Sequence, residues 1–252
     1  YCTADDTVKG VGTTSSKVGN HSPRNLWSTT ITDELLLATN FKAKVVGVSL
    51  KDRASILPAG HNPTGAYWFD DTTGDFVTSS YYRNELPKWV TDYNNQKIGE
   101  NLVKNGWNTL LPIAQYTESS PDNSPWEGLQ GKSKTPTFPY SNLAAEYQVS
   151  KGDIRSTPFG NTLTLGLAKA SIKGEQLGAD AVTDFLAINL ASPDYAGHKF
   201  GPNSIEVQDV YLRLDQDLAE FFKYLDQTVG KDQYTVFLSA DHGGAHAKGF
   251  MD

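Results

Sequence analysis

Thr183-Asp-Phe-Leu-Ala-Ile-Asn-Leu190 is a short, dense apolar run that passes directly into Ala191-Ser-Pro-Asp194-Tyr-Ala-Gly-His198. An apolar run of this length with a small, polar loop behind it reads as a buried strand. Downstream, Val207, Val210, Leu214, Leu218, Phe221 and Leu225 recur at three- and four-residue steps. That spacing predicts a long helix over 204–229 whose apolar stripe lies against a sheet. A second run, Gln233-Tyr-Thr-Val-Phe-Leu-Ser-Ala240, predicts another strand. Strand, long helix, strand is an α/β pattern.

The same alternation extends upstream. Ser28-Thr-Thr30 ahead of Asp33-Glu34 marks the start of a helix that ends near Asn40. Lys44-Val-Val-Gly-Val-Ser-Leu50 then predicts a buried parallel strand. Ala66-Tyr-Trp-Phe69 and the β-prone run through Tyr82, separated by Asp70-Asp-Thr-Thr-Gly-Asp75, predict a hairpin. Residues 86–104 read as helical, and Pro158 opens a helix through about Ile172. The first 25 residues are polar and aperiodic and read as an exposed loop. Residues 105–152 embed Trp107, Trp126, Pro112, Pro121, Pro125, Pro136 and Pro139 in polar sequence with no sustained period, which reads as an insertion or cap. The expected architecture is α/β, with a mostly parallel sheet flanked by helices and 105–152 inserted into one domain that spans 1–252.

The composition narrows the function classes. Twenty-two Lys and Arg against 29 Asp and Glu give a net charge of −7 over 252 residues, the wrong sign for a nucleic-acid binder. No apolar run approaches the roughly 18 residues needed to span a bilayer. Cys2 is the single cysteine, so an internal disulfide framework and a Cys-rich zinc module are excluded. The chain starts at Tyr1 without an initiator Met or signal pattern, and it is expected to be an interior piece of a longer protein.

In open α/β sheets, ligands collect beyond the carboxyl ends of the strands. Two such loops carry metal-type residues: Asp194 with His198, and Asp241 with His242. Carboxylate oxygen and imidazole nitrogen suit zinc or a similar divalent ion, and two clusters suit a two-metal phosphoryl-transfer site. Either pair alone also arises by chance; their joint placement after two strands is the stronger signal. At the end of a third strand, Lys51 and Arg53 supply positive charge. In an extended segment these two share a side and face one anionic group, Arg by forked hydrogen bonds and Lys as a compact charge. The plainer alternative is a solvated pair that is neutralised by Asp52. Thr157 and Thr162 read as helix caps or packing residues; His246, four residues after His242, offers a further ligand but reads first as a supporting or loop-packing residue, and His21 and His61 as structural or solvent-exposed.

Lys51-Asp-Arg-Ala-Ser-Ile-Leu-Pro-Ala-Gly-His61, the Ser192-Pro-Asp194-Tyr-Ala-Gly-His198 loop and Ser239-Ala-Asp241-His242-Gly-Gly244 together resemble the alkaline phosphatase superfamily. The likeness is to the bacterial phosphate-irrepressible, Thr-nucleophile, di-zinc enzymes, which are related to nucleotide pyrophosphatase/phosphodiesterases. It implies an alkaline-phosphatase-like fold and two zinc ions, one on Asp194 and His198 and one on Asp241 and His242. It also implies that Lys51 and Arg53 contact the non-bridging phosphoryl oxygens of a small-molecule phosphate ester. The nucleophilic Thr, a further Asp ligand and an Asn contact are implied upstream of Tyr1, and a further His ligand downstream of Asp252. Four of six ligands leave each zinc short of its closed set, so little turnover is expected from this segment alone. The implied activity is phosphate monoester hydrolysis in a periplasmic or secreted protein. The alternatives are a phosphodiesterase or nucleotide pyrophosphatase, with Tyr67, Trp68, Trp107 or Trp126 stacking a base, and a non-catalytic phosphate- or glycan-binding relative.

Overall fold

The computed structural model describes residues 1–246. It divides into two compact units: Tyr1–Ile98 with Thr164–Leu190 and Tyr224–Tyr234, and Gly99–Leu163 with Ala191–Lys223 and the chain from Thr235 on.

The first unit holds a sheet of β1 (Gly10–Val11), β2 (Val45–Ser49), β3 (Gly65–Asp70), β4 (Asp75–Ser79) and β5 (Phe185–Asn189), in the order β1-β4-β3-β2-β5. β2 runs parallel to β3 and β5, with Val46 opposite Gly65 and Leu186. The β3–β4 hairpin and the β1–β4 pair are antiparallel, so the sheet is mixed rather than mostly parallel. The turn sequence dictates this. The Gly74 N–H donates to the Asp70 carbonyl (2.8 Å), the Thr72 N–H donates to Asp70 Oδ1 (2.8 Å), and Gly74 takes φ 77°, which turns the chain straight back on itself. The N-terminal stretch is tied down more than its composition suggests: β1 pairs with β4, α1 (Ser16–Gly19) follows it, and the Trp68 indole donates to the Val18 carbonyl (2.7 Å).

Helix α2 (Ile31–Ala38) begins with the predicted cap. The Thr30 hydroxyl accepts the Asp33 N–H (3.2 Å), and the Asp33 carboxylate accepts the Thr30 N–H (2.9 Å). α3 (Asp52–Ala59) packs so closely on β2 that a Cβ on Gly47 would meet the Ser55 carbonyl oxygen at 2.2 Å. Leu36, Val45, Ile56, Ala59, Ala66, Trp68 and Val77 form the core of these layers. At the other strand, Asp184 accepts the Lys44 N–H (2.7 Å) and the Gly178 N–H (2.8 Å), which fixes the entry to β5. The helix expected over 86–104 is two, α4 (Lys88–Asn95) and α5 (Ile98–Val103), separated where Lys97 takes φ 47°. After α6 (Leu143–Val149) comes α7 (Pro158–Gly174), which starts at Pro158 as predicted.

The second unit has its own aromatic core of Trp107, Phe138, Tyr140 and Phe200, with ring centroids 5.0–6.1 Å apart. α8 (Ser192–Phe200) and α9 (Ile205–Leu225) belong to this unit for most of their length. Ser204 caps α9 by accepting the Val207 N–H (3.2 Å), and Val207, Val210, Phe221 and Leu225 of the predicted stripe are buried. Two acids share that buried side. Asp209 accepts from Trp107 Nε1 (2.7 Å), the Leu110 N–H (2.6 Å), the Tyr116 hydroxyl (2.5 Å) and Arg213 Nε (2.8 Å). Glu206 accepts from the Tyr140 hydroxyl (2.5 Å), and burial pushes its carboxyl up to about 8.

The strand predicted over 233–240 does not form. These residues are irregular, and Val236, Phe237 and Leu238 are exposed. A strand needs a ladder partner, and among the described residues β5 pairs only with β2.

Candidate functional site

β2 and β5 are parallel neighbours, so their carboxyl ends lie side by side. There the Ser49 hydroxyl donates to Asn189 Oδ1 (2.9 Å) and accepts the Lys51 N–H (2.9 Å). Lys51 is still extended (φ −100°, ψ 134°), but Asp52 opens α3 and Arg53 is its second residue. The same-side argument for an extended Lys51-Asp52-Arg53 therefore does not hold, because the chain has already entered the helix. Asp52 is the local hub. It accepts from the Tyr1 hydroxyl (2.6 Å) and from the Arg53 N–H, and lies 3.3 Å from His21 Nε2. The exposed Arg53 guanidinium donates to the Tyr1 hydroxyl (3.1 Å). Burial and then the Asp52 contact raise the Tyr1 hydroxyl's pKa above its usual range.

α8 carries Asp194 in its first turn and His198 in its last. Four residues apart, they share one face of the helix, and His198 Nε2 lies 3.2 Å from Asp194 Oδ1. His242 approaches the same oxygen, its Nε2 being 3.5 Å away. Its Nδ1 faces the Gly243 carbonyl at 2.9 Å. Only an N–H can satisfy a carbonyl, so in the neutral ring Nε2 carries the lone pair that a metal needs. Asp241 touches its own neighbour, with Oδ2 at 3.8 Å from His242 Nε2. The side chain of Asp194 is 23% exposed, those of His198, His242 and Asp241 77%, 57% and 80%.

The structure thus brings Asp194, His198 and His242 to one point, with Asp241 at its margin. Two ligand atoms roughly 2.0–2.1 Å from a tetrahedral zinc sit about 3.3 Å apart. The 3.2 Å contact of the Asp194/His198 pair matches that edge, the 3.8 Å contact of the Asp241/His242 pair is wider, and the nitrogen and oxygen donors suit the ion. The cluster is not a closed cage: among the described residues no group of three or more His, Cys, Asp or Glu already has the arrangement of a metal site.

The remaining residues singled out in the sequence are structural. Thr157 donates to the Ile154 carbonyl (2.7 Å) and Thr162 to Asp217 (2.6 Å). His246 Nδ1 pairs with Asn203 Nδ2 (2.9 Å), and His61 with Asp33 (2.8 Å). Tyr67, Trp68 and Trp107 are buried and leave no face for a base; Trp126 is half-buried. Asn161 and Asp184 carry no assignable role in the sequence, and Glu206 and Asp209 do not stand out there at first reading. For the last two a signal exists, since acids at 206 and 209 fall on the same helical side as Val207 and Val210.

Residues 14–251 match the type I phosphodiesterase / nucleotide pyrophosphatase family. The chain is 71% identical over 251 residues to the alkaline phosphatase PafA of Elizabethkingia meningoseptica, covering all of this chain and 46% of that protein. A crystal structure of wild-type alkaline phosphatase PafA superposes with a TM-score of 0.99 over the whole chain and 48% of the solved one. A second structure, also at TM-score 0.99 with 70% identity and the same coverage, is of a variant with a Thr, an Asn, and a Lys and an Arg two positions apart replaced. The chain spans just under half the length of these relatives. With nearly its whole length matched, it belongs to the type I phosphodiesterase / nucleotide pyrophosphatase family.

Proposed function

We propose that this chain supplies part of the metal site and the phosphoryl-binding cations of a phosphate monoester hydrolase in the alkaline phosphatase superfamily, in a periplasmic or secreted protein. The observation that carries the reading is the 3.2 Å approach of His198 Nε2 to Asp194 Oδ1 on one face of α8. Asp194 and His198 would hold one zinc ion, and Asp241 and His242 the other. When bound, zinc supplies Lewis acidity toward phosphoryl oxygens and activates water near neutral pH. The reaction runs through a phospho-enzyme on a Thr outside this chain.

Lys51 and Arg53 bind the non-bridging oxygens. The spacing of the Lys and Arg replaced in the similar enzyme's variant is that of Lys51 and Arg53, and this supports placing the pair at the substrate. Arg53 presently donates to a neutral hydroxyl. Exchanging that partner for a dianion makes a charge-assisted, forked contact, which is roughly twice as strong as the neutral one. A monoester offers a dianion with three non-bridging oxygens, whereas a diester replaces one of them with a second ester group. Two cations therefore favour the monoester. The family's name keeps diester hydrolysis as the second reading, but the burial of Tyr67, Trp68 and Trp107 removes three of the four aromatics available to hold a nucleotide base.

The test is zinc-dependent hydrolysis of an aryl phosphate monoester and the matching diester, side by side, by the full-length protein. Monoester preference that is selectively lost in Arg53→Ala is expected. A diester preference, or equal losses on both substrates, would remove the role given to Lys51 and Arg53.

A further inference from the structure

Helix α8 is nine residues long, below the length at which an isolated helix is stable. Its buried residues are Ser192, Ala196 and Phe200, a narrow seam along one side of the helix. Polar contacts hold the flanks on which the candidate ligands lie. Each candidate ligand is followed directly by a tethered residue. After Asp194, the Tyr195 hydroxyl accepts from Arg155 Nη1 (3.1 Å), and the guanidinium sits 5.4 Å from the centre of the ring. After His198, Lys199 Nζ donates to Gln130 Oε1 (2.9 Å) and to Ser156 Oγ (2.9 Å). Successive helical residues are 100° apart, so tethering 195 and 199 sets the direction in which 194 and 198 point. The Lys199 carbonyl also accepts the Gly128 N–H (2.6 Å), and at the other end the buried Asn161 accepts the Ser192 N–H (3.2 Å).

Lys199 is an unexpected choice for packing alone. Its two acceptors are neutral and buried, and Ser156 in turn donates to Gln130 Oε1 (3.1 Å). The ammonium is desolvated there; Asp153 and Glu146 offset that only from beyond contact distance, and the centre of the Phe200 ring lies 5.7 Å from Nζ. Replacing such a group by an apolar residue of similar volume is often neutral or stabilising.

We infer that Lys199 is a positioning residue: through Gln130 and Ser156 it fixes the rotation of α8 that presents Asp194 and His198 to a metal ion. This rests on the reading of Asp194 and His198 as ligands. Residues that orient metal ligands typically change affinity about 10- to 100-fold when removed.

The experiment measures zinc affinity by chelator competition, together with the thermal midpoint of the metal-free form, in the full-length protein and its Lys199→Met, Ser156→Ala and His198→Ala variants. Lys199→Met is expected to weaken zinc binding at least about tenfold while the metal-free midpoint stays level or rises, and Ser156→Ala to weaken it less. A purely structural role predicts the reverse, a lower midpoint with unchanged affinity, and that result overturns the inference. Should Lys199→Met fail to fold, unchanged affinity in Ser156→Ala overturns it instead. Unchanged affinity in His198→Ala would sink the ligand reading itself, which is a different failure.

Discussion

Asp209→Asn is the sharpest probe of how the second unit is held together. Asp209 is fully buried, and its two oxygens divide four donors evenly. Oδ1 takes the Leu110 N–H and the Tyr116 hydroxyl; Oδ2 takes Trp107 Nε1 and Arg213 Nε. An amide keeps the shape but turns one oxygen into an NH₂ group, so whichever way it sits, two donors face a donor. The cheaper orientation points NH₂ at Trp107 and Arg213, because Arg213 is partly exposed and also donates to the Asn108 carbonyl (2.6 Å). Trp107 has no such recourse, being fully buried. One orphaned indole at about 1–3 kcal/mol and a lost charge-assisted bond at about 1.5–3 kcal/mol give a loss of roughly 2.5–6 kcal/mol. The assay is denaturant unfolding followed by far-ultraviolet circular dichroism, for Asp209→Asn in the wild-type and in the Trp107→Phe background. In the Trp107→Phe background the cost of Asp209→Asn should fall by at least about 1 kcal/mol, since the orphan is gone. A loss below about 0.5 kcal/mol, or the same loss in both backgrounds, would refute the reasoning.

Glu206 carries a folded-state pKa of about 8 against an ordinary 4.5, from burial first. The folded state therefore binds the extra proton between those values, and stability declines as pH rises through the window. Glu206→Gln should flatten that decline in unfolding titrations; an unchanged slope would show that Glu206 is not its source. The Asp33 hydrogen bond raises the His61 pKa above its ordinary 6.5, so its contribution is fully present below 6.5 and lost as pH rises through the folded value. Asp33→Asn should bring the His61 NMR titration back toward 6.5. Thr30→Ala removes the acceptor of the Asp33 N–H at the start of α2 and should cost about 1 kcal/mol, measurable as a lower thermal midpoint.

What was legible in the sequence follows the range of the forces involved. The Thr30–Asp33 cap, β2, the β3–β4 hairpin and the α9 stripe are set by neighbours within a few residues, and each can be read from spacing. The sheet's direction was less legible because pairing is a long-range choice. The parallel reading of β2 was correct, but β1 lies across the sheet from it and was not visible as a strand in a polar stretch. At the candidate site, the His198–Asp194 contact follows from helical spacing alone, whereas the approach of His242 to Asp194 joins residues 48 positions apart. Lys51 and Arg53 were legible as charge but not as geometry, since the helix begins between them. Isolated polar residues such as Asn161 and Asp184 acquire meaning only through the backbone amides that they meet.

The irregular stretch after the first unit has a practical consequence for handling the chain by itself. Tyr234-Thr-Val-Phe-Leu-Ser-Ala240 is uncharged, β-prone and free of proline, and its apolar centre faces solvent. β5, at the end of the sheet, offers a backbone edge with no ladder partner among the described residues. Six- or seven-residue segments of this kind stack between molecules when exposed. Concentrated solutions of the chain alone should cloud with time, and replacing Phe237 by Lys should keep them clear.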